Sequence, residues 1–284
     1  MGPPHFLCIG AHKSGTTWLY ENLKRHPAVW LPPIKELHYF DGMPGLPKVA
    51  QRLNEAIKEV VETGRIADPA KLDLMRKYAL DQSKDFAWYR SLFEPAGERL
   101  TGDMTPAYST LPPPVVGKIR ELLPDCRVVF IMRNPIERAW SHFRSNAETA
   151  KLDTAAVGLD VIRRQVDSPS SQVRTAYTRT IETWEQFFPR DRILYLFYDD
   201  LLADRDWFLA AVCRFLGLSF ETRYFAETRN AVVNRSMALE IDSGARAYLA
   251  RKYRDEIAAL QRRFGGHTDR WLAECEGTIA DEKS

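Results

Sequence analysis

The sequence carries almost no excess of charge of either sign. Its 284 residues include 40 Lys and Arg against 38 Asp and Glu, which gives a formal net charge of +2. Such a balance excludes the global basic field that drives non-specific binding to nucleic acids. We therefore expect no nucleic-acid partner, and any anion-binding site must be local.

Cysteine is scarce, and long apolar runs are missing. The four cysteines, at positions 8, 126, 213 and 275, form no CxxC pair and have no histidines at a zinc spacing, so neither disulfides nor a metal site is expected. No apolar run approaches the ~20 residues of a membrane-spanning helix. The first apolar run begins at Phe6 with no basic-then-apolar leader before it. This predicts no signal peptide and a cytoplasmic location.

The overall composition is that of an ordinary globular protein. Apolar residues make up 45% and charged residues 27% of the chain, which excludes wholesale disorder. We expect a single domain over residues 1–284, in which the polar stretch 44–83 is an insertion or a flexible cover. No pattern in the sequence specifies an oligomeric state.

Short apolar runs alternate with helical patterns along the chain. Residues 6–10 are a short continuous apolar run typical of a strand buried on both faces. Residues 126–132, rich in β-branched and aromatic side chains, are predicted as a second core strand, and residues 192–198 as a third strand. Helices are predicted over residues 17–25 and 173–188, among others. Buried strands that alternate with helices predict an α/β fold, a parallel sheet flanked by helices on both faces.

A glycine-bearing turn joins the first predicted strand to the first predicted helix. Residues 10–18 read Gly-Ala-His-Lys-Ser-Gly-Thr-Thr-Trp. Such a turn points backbone N–H groups and the positive helix end at one place, which suits a phosphate group. Lys13 adds a full charge, and the hydroxyls of Ser14, Thr16 and Thr17 add donors. The alternative is a tight turn with incidental hydroxyls.

The same loop departs from the nucleotide triphosphatase pattern GxxxxGK[ST]. Gly10 and Gly15 are correctly spaced, but Thr16 occupies the lysine position. The strand that ends at Met132 offers no Asp for Mg²⁺ and continues into Arg133. The loop therefore suits an anion that needs no metal.

A second basic site follows the strand over residues 126–132. At 100° per residue, Arg133, Ser141 and Arg144 lie on one flank of the helix that begins after Asn134. Taken alone, Arg133 is equally explained as a surface ion-pair residue. Two anion sites at neighbouring strand ends instead fit a nucleotide that carries phosphates at both its 5′ and 3′ ends.

Together the two segments resemble the sulfotransferases that use 3′-phosphoadenosine 5′-phosphosulfate (PAPS). Residues 13–18 look like that family's 5′-phosphosulfate loop, and residues 133–141 look like its 3′-phosphate motif. Residues 35–41 and 102–108 are similar to the glycan branch, the heparan sulfate sulfotransferases and their bacterial relatives. Residues 198–204 and 215–218 are similar to later signatures of the family.

This resemblance implies a P-loop-like sulfotransferase fold and an enzyme that moves a sulfuryl group from PAPS to a hydroxyl or amine. Its product would be adenosine 3′,5′-bisphosphate (PAP), and no metal would be needed. The acceptor is a carbohydrate, a lipid or a small alcohol. The nucleotide-binding residues that the resemblance implies are Lys13, Ser14, Gly15, Thr16, Thr17, Trp18, Arg133 and Ser141, with Arg235 from a loose match to the last PAPS-contacting loop.

Three catalytic residues follow from the resemblance. Lys13 would stabilise the oxygen that leaves the sulfur, and Glu36 would take the acceptor proton. That role requires the pKa of Glu36 to be raised by burial or tempered by a neighbour such as His38, itself a second base candidate. Met104 stands where the glycan branch carries Lys, so a basic group is missing there or is supplied from elsewhere.

Two other classes of protein remain as alternatives. One is a metal-dependent phosphotransferase with the same strand, loop and helix, and a Mg²⁺ requirement would identify it. The other is a non-catalytic nucleotide sensor, which would bind PAPS and transfer nothing.

Overall fold

The computed structural model describes residues 2–42, 69–81, 84–152, 157–231 and 239–282. Within these ranges, five parallel strands form one sheet in the order β2-β3-β1-β4-β5. The strands are β1 (Phe6–Gly10), β2 (Val29–Trp30), β3 (Leu100–Met104), β4 (Arg127–Met132) and β5 (Ile193–Phe197). The predicted α/β class with a parallel sheet is confirmed.

Helices occupy most of the remaining described chain. They are α1 (Thr16–Leu23), α2 (Pro69–Leu80), α3 (Phe86–Ser91), α4 (Pro113–Leu122), α5 (Pro135–Thr149), α6 (Leu159–Val166), α7 (Pro169–Val173), α8 (Tyr177–Glu185), α9 (Tyr198–Ala203), α10 (Arg205–Leu216), α11 (Ser243–Phe264) and α12 (His267–Asp281). None of the helices in these ranges is long and apolar enough to cross a membrane.

Alternate residues of each central strand enter two different core clusters. Leu7 and Ile9 of β1 pack in one cluster with α4, α5, α8 and α11, whereas Phe6 and Cys8 pack in another with α1 and α10. This alternation follows from the strand period of two, because successive side chains point to opposite faces. Helices therefore cover both faces of the sheet, as predicted. All four cysteines are buried and free.

The strand order brings the two basic motifs together. Strands β2 and β3 lie on one side of β1, and β4 and β5 lie on the other. The connections that leave β1 and β4 at their carboxyl ends therefore diverge from a common crevice, which is where open parallel sheets bind ligands. The loop after β1 and the residue that follows β4, Arg133, meet at this crevice.

The predicted helix over residues 173–188 is wrong in its first part. The chain instead forms α7, capped by Ser168, and begins α8 at Tyr177. Ala176 leaves the helical region with ψ 70°. A carboxylate from α11 fixes the new start, because Glu256 accepts from the backbone N–H of Thr178 at 2.8 Å. A cap from 78 residues away leaves no local sequence signal.

The polar stretch 44–83 is only partly within the described residues. Its described part includes α2, where Leu74, Met75 and Tyr78 pack against Ile34 and Leu37 in a third apolar cluster. The prediction that the rest is an insertion or a flexible cover falls on residues outside those described.

Candidate functional site

The loop after β1 makes its turn with two left-handed residues. Lys13 has φ 67° and Gly15 has φ 85°. Gly15 directly precedes α1, and a Cβ placed on it would lie 2.7 Å from Leu201 Cδ2. Both the backbone angle and the close approach therefore require glycine here. The turn delivers the first backbone N–H groups of α1 to the crevice.

A cavity of about 430 Å³ opens at this place. Its lining residues come from the loop and α1, from the segment after β2, and from the ends of β4 and β5. They are His12, Lys13, Gly15, Thr16, Thr17, Trp18, Lys35, Glu36, Pro106, Arg133, Ser141, Tyr198, Leu201, Leu202, Arg205 and Ala231.

Most of the residues predicted for the site line this one cavity. Two of them, Ser14 and His38, do not. Ser14 is a fully buried residue of the loop, so the hydroxyl donor expected from it does not reach the cavity wall. His38 does not line the cavity but contacts Glu36, which does. Arg235 lies outside the described residues.

Arg133 connects the two basic motifs. Its Nη1 donates to the backbone oxygen of Lys13 at 3.1 Å, and its guanidinium lies over the Tyr198 ring at 4.7 Å from the centroid. Asn134 caps α5 by accepting from the N–H of Ile136 at 3.0 Å. Two turns along that helix, Ser141 also reaches the cavity. The loop, the strand end and the helix flank thus form one continuous wall.

The pKa values near the loop indicate a strongly positive wall. Burial, followed by the charges of Arg133 and Arg144, lowers the pKa of Lys13. Burial and the charge of Arg174 lower the pKa of His12 to about 3, so its imidazole is neutral at physiological pH. Each group is disfavoured in its charged form by other cations, which is the condition an anionic ligand relieves.

Arg138 is a further source of this positive field. Its side chain is fully buried on α5, and none of its three guanidinium nitrogens has a hydrogen-bond partner among the described residues. Its charge contributes to lowering the pKa of His12 and, after burial, that of His142, which falls to about 4. A buried cation without a carboxylate partner is costly, and an anion in the nearby cavity offsets part of that cost.

Glu36 lies in a chain of ionic contacts at the other end of the cavity. Lys35 Nζ lies 2.8 Å from Glu36 Oε1, and His38 Nε2 lies 3.5 Å from Glu36 Oε2. His38 Nδ1 in turn lies 2.6 Å from Asp41 Oδ2. The segment reaches the cavity because it follows β2, whose carboxyl end lies at the same sheet edge as those of β1 and β4.

The protonation states here differ from the expectation for Glu36. Burial acts to raise its pKa, but the hydrogen bond from His38 and the charge of Lys35 outweigh burial, and the pKa is lowered. For His38, burial acts to lower the pKa, yet hydrogen bonds to Asp41 and Glu36 raise it to about 9. At neutral pH the pair is therefore a carboxylate beside an imidazolium, because two anions flank a single histidine.

Met104 presents no polar group to the cavity. It is buried in the core cluster that contains Phe6 and Cys8. A basic side chain is instead contributed by Lys35, which lines the cavity beside Glu36. Among the described residues, no group of three His, Cys, Asp or Glu side chains is placed to hold a metal ion.

Sequence reasoning missed several residues of the wall. His12 lies inside the loop over residues 10–18 and has no predicted role, and Lys35 is expected only as an ion-pair partner in the alternative in which Glu36 is a loop carboxylate paired with Lys35 or Arg25. Tyr198 and Arg205 reach the cavity from α9 and α10. The only sequence signal for Tyr198 was its place at the start of a family signature, residues 198–204.

Residues 229–231 lie along one side of the cavity. Trp18 Nε1 donates to the backbone oxygen of Arg229 at 3.2 Å, and Arg205 Nη1 donates to Asn230 Oδ1 at 3.2 Å. Arg229 is also paired with Asp206 at 2.6 Å. These contacts bind residues 229–230 to α1 and α10, and the next residue, Ala231, lines the cavity.

Comparison with known proteins agrees with this geometry. The model of a family described as "Sulfotransferase family" matches residues 4–222. Heparan sulfate glucosamine 3-O-sulfotransferase 6 of Homo sapiens is 27% identical over 220 residues, which cover 76% of this chain and 52% of that protein. Heparan sulfate glucosamine 3-O-sulfotransferase 5 of Mus musculus is 26% identical over 256 residues, covering 83% and 62%. The chain thus spans less than two thirds of the length of these curated relatives.

Solved structures show the same fold. A sulfotransferase from Alicyclobacillus acidocaldarius superposes with a TM-score of 0.60 at 20% identity, covering 95% of this chain and 99% of that one. A mouse sulfotransferase complexed with PAP superposes with a TM-score of 0.52 at 14% identity, covering 97% and 89%. The expected sulfotransferase fold is confirmed.

Proposed function

The chain belongs to the sulfotransferase family, and we propose that it moves a sulfuryl group from PAPS to a hydroxyl or amine of an acceptor. The observation that carries this proposal is the single cavity that joins Lys13 and Glu36 to Arg133 and Ser141. One end of that cavity has cations and helix N–H groups for an anionic leaving group. The other has a carboxylate that can accept a proton.

For the nucleotide, we propose that the loop holds the 5′-phosphosulfate. Lys13, the backbone of Gly15, and the side chains of Thr16 and Thr17 supply the donors, and Ser14 is retained as a nucleotide contact on the resemblance alone. Arg133 and Ser141 hold the 3′-phosphate, and Trp18 packs beside the nucleoside. The positive field of Arg138 favours all of these contacts. We retain Arg235 as a nucleotide contact on the resemblance alone.

For the reaction, we propose an in-line transfer between the two ends of the cavity. Glu36 accepts the acceptor proton while the acceptor oxygen or nitrogen forms its bond to sulfur. The bond from sulfur to the 5′-phosphate oxygen breaks, and Lys13 stabilises the charge that develops on that oxygen. His38, as an imidazolium, keeps Glu36 ionised, and Lys35 supplies the basic group that Met104 does not.

For the wider context, we propose a single domain that acts on a carbohydrate, lipid or small alcohol. The glycan branch supports a sugar acceptor, since the relatives named above are heparan sulfate sulfotransferases. The four free cysteines support a reducing, cytoplasmic location. A screen of acceptor classes with isotopically labelled PAPS, read by mass spectrometry, tests the acceptor. Cell fractionation tests the location.

Ligand-dependent melting tests the nucleotide. PAPS and PAP are each expected to stabilise the protein by roughly 2–3 kcal/mol at a hundredfold excess over the dissociation constant. ATP should shift the melting temperature much less, because it lacks the 3′-phosphate. Scans with and without EDTA form the control. Equal stabilisation by ATP, or loss of transfer without Mg²⁺, would move the protein to the phosphotransferases, and binding without any transfer would make it a sensor.

Arg133→Ala tests the 3′-phosphate contact. We expect PAP affinity to fall by about 2–3 kcal/mol, the usual effect of losing a charge-assisted hydrogen bond, with adenosine 5′-phosphate nearly unaffected. Calorimetric titration of both ligands measures the difference. Arg127→Ala is the matched control, since Arg127 opens the same strand and donates to Leu216 O at 2.8 Å, away from the cavity. Equal weakening of both ligands in Arg133→Ala would assign that arginine to the fold instead.

A further inference from the structure

The segment that carries Glu36 has a conformation it does not prefer. Glu36 has φ 67° and His38 has φ 55°, although neither residue is glycine. A left-handed backbone costs an L-residue roughly 1–2 kcal/mol, and such residues persist only where their surroundings determine the conformation. Two of them within three positions imply strong external anchors.

Two tyrosine hydroxyls provide these anchors. Tyr78 donates to the backbone oxygen of Leu37 at 2.9 Å, between the two left-handed residues. The Tyr108 hydroxyl accepts from the backbone N–H of Tyr39 at 3.0 Å and from that of Phe40 at 3.4 Å. Tyr108 belongs to a different part of the chain, the turn over Pro106–Thr110 that follows β3. It therefore ties the Glu36 segment to the sheet.

Asp103 fixes the direction of the Tyr108 hydroxyl. This carboxylate at the end of β3 is buried and accepts from Tyr108 at 2.8 Å, Tyr89 at 2.9 Å and Thr105 at 2.6 Å. A hydroxyl has one proton to donate, and a carboxylate can only accept. Because the proton of Tyr108 is directed to Asp103, its lone pairs are left for the two backbone N–H groups.

We propose that Tyr108, oriented by Asp103, is a positioning residue that holds the Glu36 segment in its left-handed conformation over the cavity. The effect of Tyr108 on turnover rests on the proposed function, whereas its effect on the conformation of the Glu36 segment does not. It assigns a role to the motif over residues 102–108, whose Met104 contributes no polar group to the cavity. A misplacement of about 1 Å at the proton acceptor is enough to cost roughly 10²-fold in rate.

A pair of tyrosine variants separates positioning from general stability. Tyr108→Phe and Tyr89→Phe each remove one hydroxyl that donates to Asp103, but only Tyr108 also accepts from the Glu36 segment. Both should lower the melting temperature, because each leaves Asp103 with one donor fewer. Hydrogen exchange at the amides of Tyr39 and Phe40 should accelerate about tenfold or more in Tyr108→Phe and stay near wild type in Tyr89→Phe.

The pKa of His38 supplies a second measurement that requires no enzyme assay. Its contacts with Glu36 and Asp41 depend on the segment's conformation, and they hold its pKa at about 9. Of the two tyrosine variants, only Tyr108→Phe should move the NMR titration of His38 toward the ordinary value near 6.5. Asp103→Asn keeps an acceptor but removes a charge that acts on His38 directly, so only its hydrogen exchange is used, and this should accelerate by less than in Tyr108→Phe.

Steady-state kinetics of the two tyrosine variants complete the test. With an acceptor found by the screen, kcat should fall about 10–100-fold in Tyr108→Phe while PAP affinity is unchanged. In Tyr89→Phe, kcat should stay within about threefold of the wild-type value. Equal exchange, titration and kcat in the two tyrosine variants would overturn the positioning role. If the wild type transfers nothing, the proposed function fails, and exchange and titration still decide the role of Tyr108. If Tyr108→Phe does not fold, the Asp103→Asn measurements decide it.

Discussion

Glu36→Gln is expected to lower turnover about 10²–10⁴-fold while leaving PAP affinity nearly unchanged. The amide keeps the shape of the side chain but has one acceptor oxygen in place of two, so it can accept a hydrogen bond at the position facing Lys35 or at the one facing His38, and it cannot take a proton. Steady-state kinetics and calorimetric titration of PAP measure the two quantities separately. Glu21→Gln is the matched control, because Glu21 lies on α1 and pairs only weakly with Lys24 at 3.9 Å.

The pH dependence of kcat offers a second test of Glu36 as the proton acceptor. The pKa of Glu36 is lowered, so the carboxylate is ionised at neutral pH and activity should fall only as the pH drops through a value below the ordinary glutamate range near 4.3. His38→Gln removes a hydrogen bond that lowers this pKa. The acidic limb of its profile should therefore move to higher pH.

The outcome also decides between base candidates. His38 carries its proton up to pH about 9, so at neutral pH it has no free nitrogen with which to take another. If Glu36→Gln keeps most of the activity, Glu36 is only an ion-pair residue, and the neutral imidazole of His12 in the cavity wall becomes the base to test. If PAP binding is lost as well, Glu36 is structural.

Lys13→Met should have the second large effect, a fall in kcat of about 10²–10³-fold. The charge of Lys13 is expected to act mainly on the oxygen that leaves sulfur, so PAP affinity should fall much less than kcat. Single-turnover transfer from PAPS, compared with PAP titration, separates the two. Lys24→Met is the control, since this exposed lysine follows α1 on the far side from the cavity. Equal losses in kcat and affinity would make Lys13 a binding residue without a role in the transfer step.

Local sequence patterns determined the fold class and the position of the nucleotide motifs. Short stretches rich in apolar residues marked β1, β4 and β5, because strands inside a parallel sheet that helices cover have few polar positions. Gly15 and Arg133 were recognisable because Gly15 directly precedes a helix and Arg133 directly follows a strand, where turn chemistry and helix start are encoded by neighbouring residues. The resemblance carried by these segments identified the family that the comparisons confirm.

Contacts between distant parts of the chain decided the rest, because no local pattern encodes them. The break before α8 depends on a carboxylate from α11, and the low pKa of Glu36 depends on how the chain places Lys35 and His38 around it. The roles of Ser14 in nucleotide binding and of Glu36 in catalysis stay predictions. The left-handed Glu36 segment is held by Tyr108, about 70 positions along the chain. Only the folded sheet, which aligns the carboxyl ends of β1, β3 and β4, brings these groups within hydrogen-bond distance.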